Sequence, residues 1–199
     1  MHKIAIGIDI GGTNTKIGAV NHQGSLLGFK SFPTKDPQDF QSFSSKTKQI
    51  CDLLLSELGL SMDNVLGIGV GAPNGSSIEG KIINPPNLKN WGTVELVGPF
   101  KALFNVPVYL DNDANVAALG EGKWGRAKDL NDFIVITLGT GIGTGIVINN
   151  KLVRGESGLA GEGGHISIDF SGRQCGCGGK GHLEMYGSVK GIKTTVYEL

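Results

Sequence analysis

IDIGGTNTKIGAV, residues 8–20, and ITLGTGIGTGIVI, residues 136–148, share one plan: an apolar strand, a Gly/Thr turn, then a second apolar strand. In the first, Gly11 and Gly12 follow a β-branched run, and turns of this kind let backbone N–H groups point at an anion. Thr13 and Thr15 add hydroxyl donors, and Asp9 could hold Mg²⁺ through water. Taken alone, the stretch would also serve as a plain glycine hairpin. In the second, Thr140, Gly141 and Gly143 repeat the logic without the Lys-Ser/Thr ending of a P-loop. A strand rather than a helix follows, which excludes the dinucleotide fingerprint. The repetition implies an α/β chain of two similar lobes. The polar stretch WGRAKDLND, near 124–132, places the boundary, giving an N-terminal lobe over 1–124 and the start of a C-terminal lobe over 125–199.

Outward from these turns, apolar runs predict strands over 4–10, 16–20, 26–32, 65–70, 106–110, 133–138 and 145–148. Helices are predicted over 37–58, opened by Asp36-Pro37 and closed by Gly59, and over 94–104, 111–124 and 182–199. Asn21-His22-Gln23-Gly24 and Asn149-Asn150 are turns. Residues 84–91, rich in Pro and Asn, form a loop.

Lys plus Arg number 18 and Asp plus Glu number 18, so the chain lacks the basic excess that nucleic-acid or anionic-membrane binding normally leaves. Three cysteines make a disulfide framework improbable and fit a reducing cytosol. Cys51 lies in an apolar helical stretch and reads as a buried small hydrophobe. The N-terminus runs straight into a strand with no signal-peptide pattern, and no run is long enough to span a membrane.

Two further groups carry chemistry. Asp111, Asn112 and Asp113 crowd the junction of a strand and a helix. One of them suffices as an N-cap, and a carboxylate at the carboxyl end of a strand is well placed as a general base on a hydroxyl. His165, Cys175, Cys177 and His182 form an N/S set suited to tetrahedral, structural zinc, with free thiols and surface histidines as the plain alternative. Glu162 and Glu184 flank the set and could accept hydrogen bonds from sugar hydroxyls, or be solvated surface charges.

Together DIGGTNTK (9–16), DNDANVAALGE (111–121), LGTGIGTGI (138–146), AGEGGHI (160–166) and CGCGGKGHLE (175–184) resemble the ROK family of bacterial repressors and sugar kinases. The resemblance implies an actin/hexokinase-like (ribonuclease H-like) α/β fold of two lobes, with the second lobe incomplete. It implies an ATP-dependent hexose kinase, with glucose converted to glucose 6-phosphate as the first expectation. Asp113 matches the catalytic base. Asn87, Asn112, Glu162, His165 and Glu184 match the sugar contacts. Gly11, Gly12, Thr13 and the Thr140–Gly143 turn match the phosphate loops. ATP, Mg²⁺ and structural Zn²⁺ are the expected cofactors, and a cytoplasmic homodimer is the expected state. The family's zinc site uses one histidine and three cysteines, and here His182 takes the last cysteine position. His165 would bind the metal with one ring nitrogen and a sugar hydroxyl with the other. Family kinases continue past residue 199 into most of the adenosine pocket, so the chain reads as a fragment.

Alternatives are a kinase for N-acetylglucosamine, N-acetylmannosamine or fructose, a sugar-responsive regulator, and a fragment that binds sugar without nucleotide. The eight residues before Asp9 are too few for a helix-turn-helix module, which weighs against the regulator.

Overall fold

The computed structural model describes residues 3–37, 39–85, 88 and 90–199. Asn87, the expected sugar contact in the 84–91 loop, lies outside the described residues. By contacts the chain divides into one unit ending at Asp113 and another beginning at Ala114. The boundary drawn from sequence at Trp124 differs from this division by one helix.

The first unit is built on β1 (Ile4–Ile10), where Ile4, Ile6, Ile8 and Ile10 are buried and the alternate positions face out. This period of two places the whole apolar set on one face. β2 (Asn14–Asn21) and β3 (Leu26–Pro33) follow as antiparallel neighbours. The Asn21 Oδ1 accepts from the N–H groups of Gln23 and Ser25, closing the turn between them.

α1 (Phe40–Glu57) starts later than Asp36-Pro37 suggests. Its N-cap is Asp39, whose Oδ1 accepts from the Ser42 N–H at 2.7 Å. Before it, Thr34 is still tied to the first glycine turn, its N–H donating to Thr13 and its hydroxyl to Gly11. Asp39 itself is extended, with φ −141° and ψ 174°, so the helix begins only after it. Gly59, with φ +66°, ends the helix as expected.

β4 (Val65–Ala72) pairs parallel to β1. β5 (Gly75–Ser76), β6 (Lys81–Ile82) and β7 (Val94–Glu95) make a small antiparallel sheet. Val94 and Glu95 are thus strand, and α2 (Val97–Phe104) is shorter than the 94–104 helix read from sequence. β8 (Val108–Asn112) completes a five-stranded sheet of order β3-β2-β1-β4-β8. Phe43, Leu54, Phe100 and the inward isoleucines form its core, with Cys51 buried among them.

The second unit takes nearly all of α3 (Asp113–Trp124), then β9 (Phe133–Leu138), β10 (Ile142–Ile148) and β11 (Lys151–Leu152) in an antiparallel sheet of order β11-β10-β9. α3 lies close on β10. A Cβ at Gly145 would stand 2.6 Å from the Ala118 Cβ and from the Ala114 carbonyl oxygen, so only glycine fits. Asn149 and Asn150 both hold positive φ, 51° and 59°, as a two-residue hairpin turn demands. The helix expected over 182–199 is two helices, α4 (Glu184–Gly187) and α5 (Val189–Glu198). Ser188 breaks it by turning extended, and its hydroxyl caps α5 by accepting from the Gly191 N–H.

Candidate functional site

In the first unit the three parallel strands bring their carboxyl ends to one edge. Asp9 is in register with Gly71, and Gly71 with Asp111. Two ladder spacings separate Asp9 from Asp111, about 10 Å. The glycine turn leaves that edge from β1, and Asn112 and Asp113 leave it from β8. Ligands of open α/β sheets sit beyond such strand ends.

Gly11, Gly12 and Thr13 stand at the surface or half-buried, with Asp9 beside them in a 3.4 Å ion pair with Lys16. Thr15 has another role. It is fully buried, with its hydroxyl 3.0 Å from that of Thr34, which itself donates to the Gly11 carbonyl. Thr15 supports the turn from behind. Asp111 is buried and its Oδ1 accepts from the Asn112 N–H at 2.9 Å. Asp113 is exposed on the first residue of α3, where a helix N-terminus favours negative charge.

In the second unit the Thr140–Gly143 turn lies against Glu184. The Gly139 N–H donates to the Gly141 carbonyl, and the Val189 N–H at the start of α5 donates to Gly139. A Cβ on Gly141 would come within 2.6 Å of the Glu184 Oε2, so this glycine admits the carboxylate against the turn.

His165, Cys175, Cys177 and His182 do come together, with one donor atom from each lying within 4.8 Å of all the others. The Nδ1 atoms of the two histidines are 3.2 Å apart. Cys175 Sγ is 3.8 Å from His165 Nδ1, and Cys177 Sγ is 3.3 Å from His182 Nδ1. With metal–nitrogen bonds of about 2.0–2.1 Å and metal–sulfur bonds of about 2.3 Å, a zinc tetrahedron has nitrogen–nitrogen edges of about 3.3 Å and nitrogen–sulfur edges of about 3.5 Å. The four side chains therefore fit a tetrahedral ion with little movement. Local hydrogen bonds shape the cradle: the Cys175 N–H donates to Gly179, Gly178 to Cys175, and Gly181 to Arg173. The Cys175 thiol donates to Glu184 Oε1 at 3.0 Å. Desolvation, reinforced by this bond, pushes the thiol up to about 11.

The other edge of His165 faces Glu162, with Nε2 3.8 Å from Oε2, while Nδ1 is 3.9 Å from Glu184 Oε1. One ring thus offers Nδ1 to the cage and Nε2 to the side where Glu162 stands. Glu162 is held there by Thr144, which sequence reading assigned only to the glycine turn. The Thr144 hydroxyl donates to the Gly161 carbonyl and accepts from the Gly163 N–H, gripping both neighbours of Glu162. A lone threonine within a Gly/Thr run carries no signal for that task.

A model of the ROK family matches residues 5–198. The chain belongs to the ROK family. It is 36% identical over 192 residues to a glucokinase of Streptomyces coelicolor, covering 95% of this chain and 57% of that one. It is 40% identical over 138 residues to the xylose repressor of Bacillus subtilis, covering 69% of this chain and 36% of that protein. A ROK family glucokinase from Streptomyces griseus, solved in complex with glucose and AMPPNP, superposes with a TM-score of 0.82 at 34% identity, covering 98% of this chain and 60% of that one. The fold is the actin/hexokinase-like fold of ROK sugar kinases. The chain spans between about a third and three-fifths of the length of these relatives. Among the described residues no helix is long and apolar enough to cross a membrane.

Proposed function

We propose that the chain carries the sugar site and catalytic base of an ATP-dependent hexose kinase, with glucose as the first candidate. The observation that supports this most is the pairing of His165 and Glu162: a ring oriented through Nδ1 by the cage presents Nε2 beside a carboxylate held from both sides. Such a fixed donor–acceptor set suits the vicinal hydroxyls of a sugar. By family likeness, Glu184, Asn112 and Asn87 belong to the same set of sugar contacts. The glucokinase relative solved with glucose and AMPPNP supports both substrates.

Asp113 accepts the proton of the sugar hydroxyl as its oxygen attacks the γ-phosphorus of ATP, and ADP leaves. Gly11, Gly12 and Thr13, with Thr140, Gly141 and Gly143, hold phosphate oxygens through backbone N–H groups, and Thr15 braces the first turn. Asp9 would hold Mg²⁺ through water, and that ion would neutralise phosphate charge. Zinc at His165, Cys175, Cys177 and His182 would be structural, since all four positions come from protein. A cytoplasmic homodimer without nucleic-acid contact goes with this reading.

The xylose repressor relatives favour a second reading, a sugar-responsive regulator that keeps the sugar contacts and does no chemistry. Glucose titrated against the chain, followed by tryptophan fluorescence, should saturate, and Glu162→Ala should weaken it about tenfold or more. In the complete protein, glucose-dependent ADP release should vanish in Asp113→Asn while sugar binding persists. Saturable sugar binding with no ADP release in the unsubstituted protein sinks the kinase and leaves the regulator.

A further inference from the structure

Arg173 stands two residues before Cys175 and takes no part in the reaction above. Its backbone is in the metal loop, where its carbonyl accepts from the Gly181 N–H at 2.8 Å and its N–H donates to the Tyr186 hydroxyl at 3.0 Å. Its side chain reaches into the angle between α4 and α5. Nη1 donates to the Met185 carbonyl at 2.8 Å and to the Gly191 carbonyl at 3.1 Å. Nη2 donates to the Thr195 hydroxyl at 2.9 Å and to the Glu198 carboxylate. The guanidinium carbon lies 4.7 Å from the centre of the Tyr186 ring. Gly191, Thr195 and Glu198 are spaced four and three residues apart, one face of a helix.

α5 needs such an anchor. Ten residues of helix are marginal in water without tertiary packing. Yet Val189, Ile192, Val196 and Tyr197 are all at least half exposed, and within the helix only Gly191 is buried. Among the described residues these apolar side chains stay largely uncovered. Its ties among the described residues include the Ser188 cap, the bond from Val189 to Gly139, the close approach of Gly191 to the Met185 backbone, and Arg173. The planar fork of a guanidinium can serve several acceptors at once, which an ammonium cannot.

We propose that Arg173 is a positioning residue that couples the metal loop to α4 and α5, so that an ion in the cage orders α5 as well as the loop. An ion that fixes Cys175 fixes the backbone two residues earlier, and the Arg173 side chain carries that constraint to the helix pair. Glu184, the first residue of α4, is ordered by the same link. The inference rests on the cage binding a metal, as proposed above.

The test uses the whole chain with Co²⁺ as probe. Two readouts are taken: the visible and thiolate-to-metal absorption of tetrahedral cobalt, and amide hydrogen exchange by segment. Co²⁺ should slow exchange over 174–182 and, by about tenfold or more, over 189–198. Arg173→Met should still give cobalt absorption, with protection confined to the loop. Arg173→Lys should behave like Arg173→Met at α5. Equal protection of α5 by Co²⁺ in Arg173→Met overturns the coupling. So does wild-type protein that shows cobalt absorption with unchanged α5 exchange. Absent cobalt absorption in wild type overturns the metal reading itself and the coupling with it. Should Arg173→Met also lose protection in β10, the double variant Thr195→Val/Glu198→Gln decides, because it removes acceptors on α5 and leaves the loop intact. Retained cobalt-dependent protection of α5 there overturns the proposal, and its loss supports it.

Discussion

In the first unit, Ile4, Ile6, Ile8 and Ile10 meet Phe43, Leu54 and Phe100 in one continuous apolar core. In the second, β9 turns Ile134, Ile136 and Leu138 outward at 61%, 61% and 65% exposure, and the buried apolar positions are mostly small, such as Ala114, Ala118 and Ala127. Here polar groups do the holding: Thr144 grips the backbone around Glu162, Arg173 anchors α5, and four donors face one another in the cage. Apolar burial is non-directional and needs no one specific partner. Polar anchoring is directional and fails when one member is lost. Among the described residues, the unit that carries Glu162, His165 and Glu184 thus rests more on directional contacts than the unit that carries Asn112 and Asp113.

The largest effect should come from Phe43→Ala. Phe43 is fully buried against Phe32, Phe40 and Trp91, and its loss should cost about 3–5 kcal/mol, seen as a fall in the urea midpoint. Exchange in β9 and β10 should hardly change, and a parallel rise there would show that the units unfold as one body. Next come the thiols. Burial raises Cys51 from 9.0 to about 12, leaving about a thousandfold less thiolate at neutral pH, and Cys51 should resist Ellman's reagent until the first unit unfolds. Cys177 is exposed and should react first, more slowly once Zn²⁺ is added. Fast native labelling of Cys51 would contradict the closed core.

Thr144→Val should cost about 1–2 kcal/mol and weaken sugar binding, because it strips both bonds that hold Glu162 in place. Unchanged glucose affinity in that variant would remove Thr144 from the site. The smallest effect should be at Asp39. Its bond to the Ser42 N–H lowers its carboxyl below the ordinary 3.8. A depressed carboxylate contributes stability above its unfolded value and loses it as pH falls through the folded one. The gap between wild type and Asp39→Ala should be present at pH 7 and close as pH falls through the lowered carboxyl value. A gap that persists in acid would mean the cap works without charge.

How much was legible depended on how local the cause was. The strands around both Gly/Thr turns, the stop at Gly59, the Asn149-Asn150 turn and the four cage residues follow from alternation, backbone preference and donor chemistry over a few neighbours. The late start of α1 did not, because Asp39 rather than Asp36 serves as the extended N-cap, its carboxylate accepting from the Ser42 N–H. Neither did the pairing of Val94 and Glu95 with β6, nor the break at Ser188, which turns extended and caps α5 by accepting from the Gly191 N–H.

Residue chemistry alone supplied the elements, the family likeness and the candidate acids, bases and ligands, since these depend on side-chain type and short spacing. Three-dimensional packing assigned the tasks within them. It put Thr15 behind its turn, Thr144 around Glu162, and the two nitrogens of His165 toward different neighbours, Nδ1 to His182 and Nε2 to Glu162. It also placed Arg173 between a loop and a helix that lie up to 25 residues apart in the chain. Contacts of that range depend on where the backbone returns, and no local pattern encodes the return.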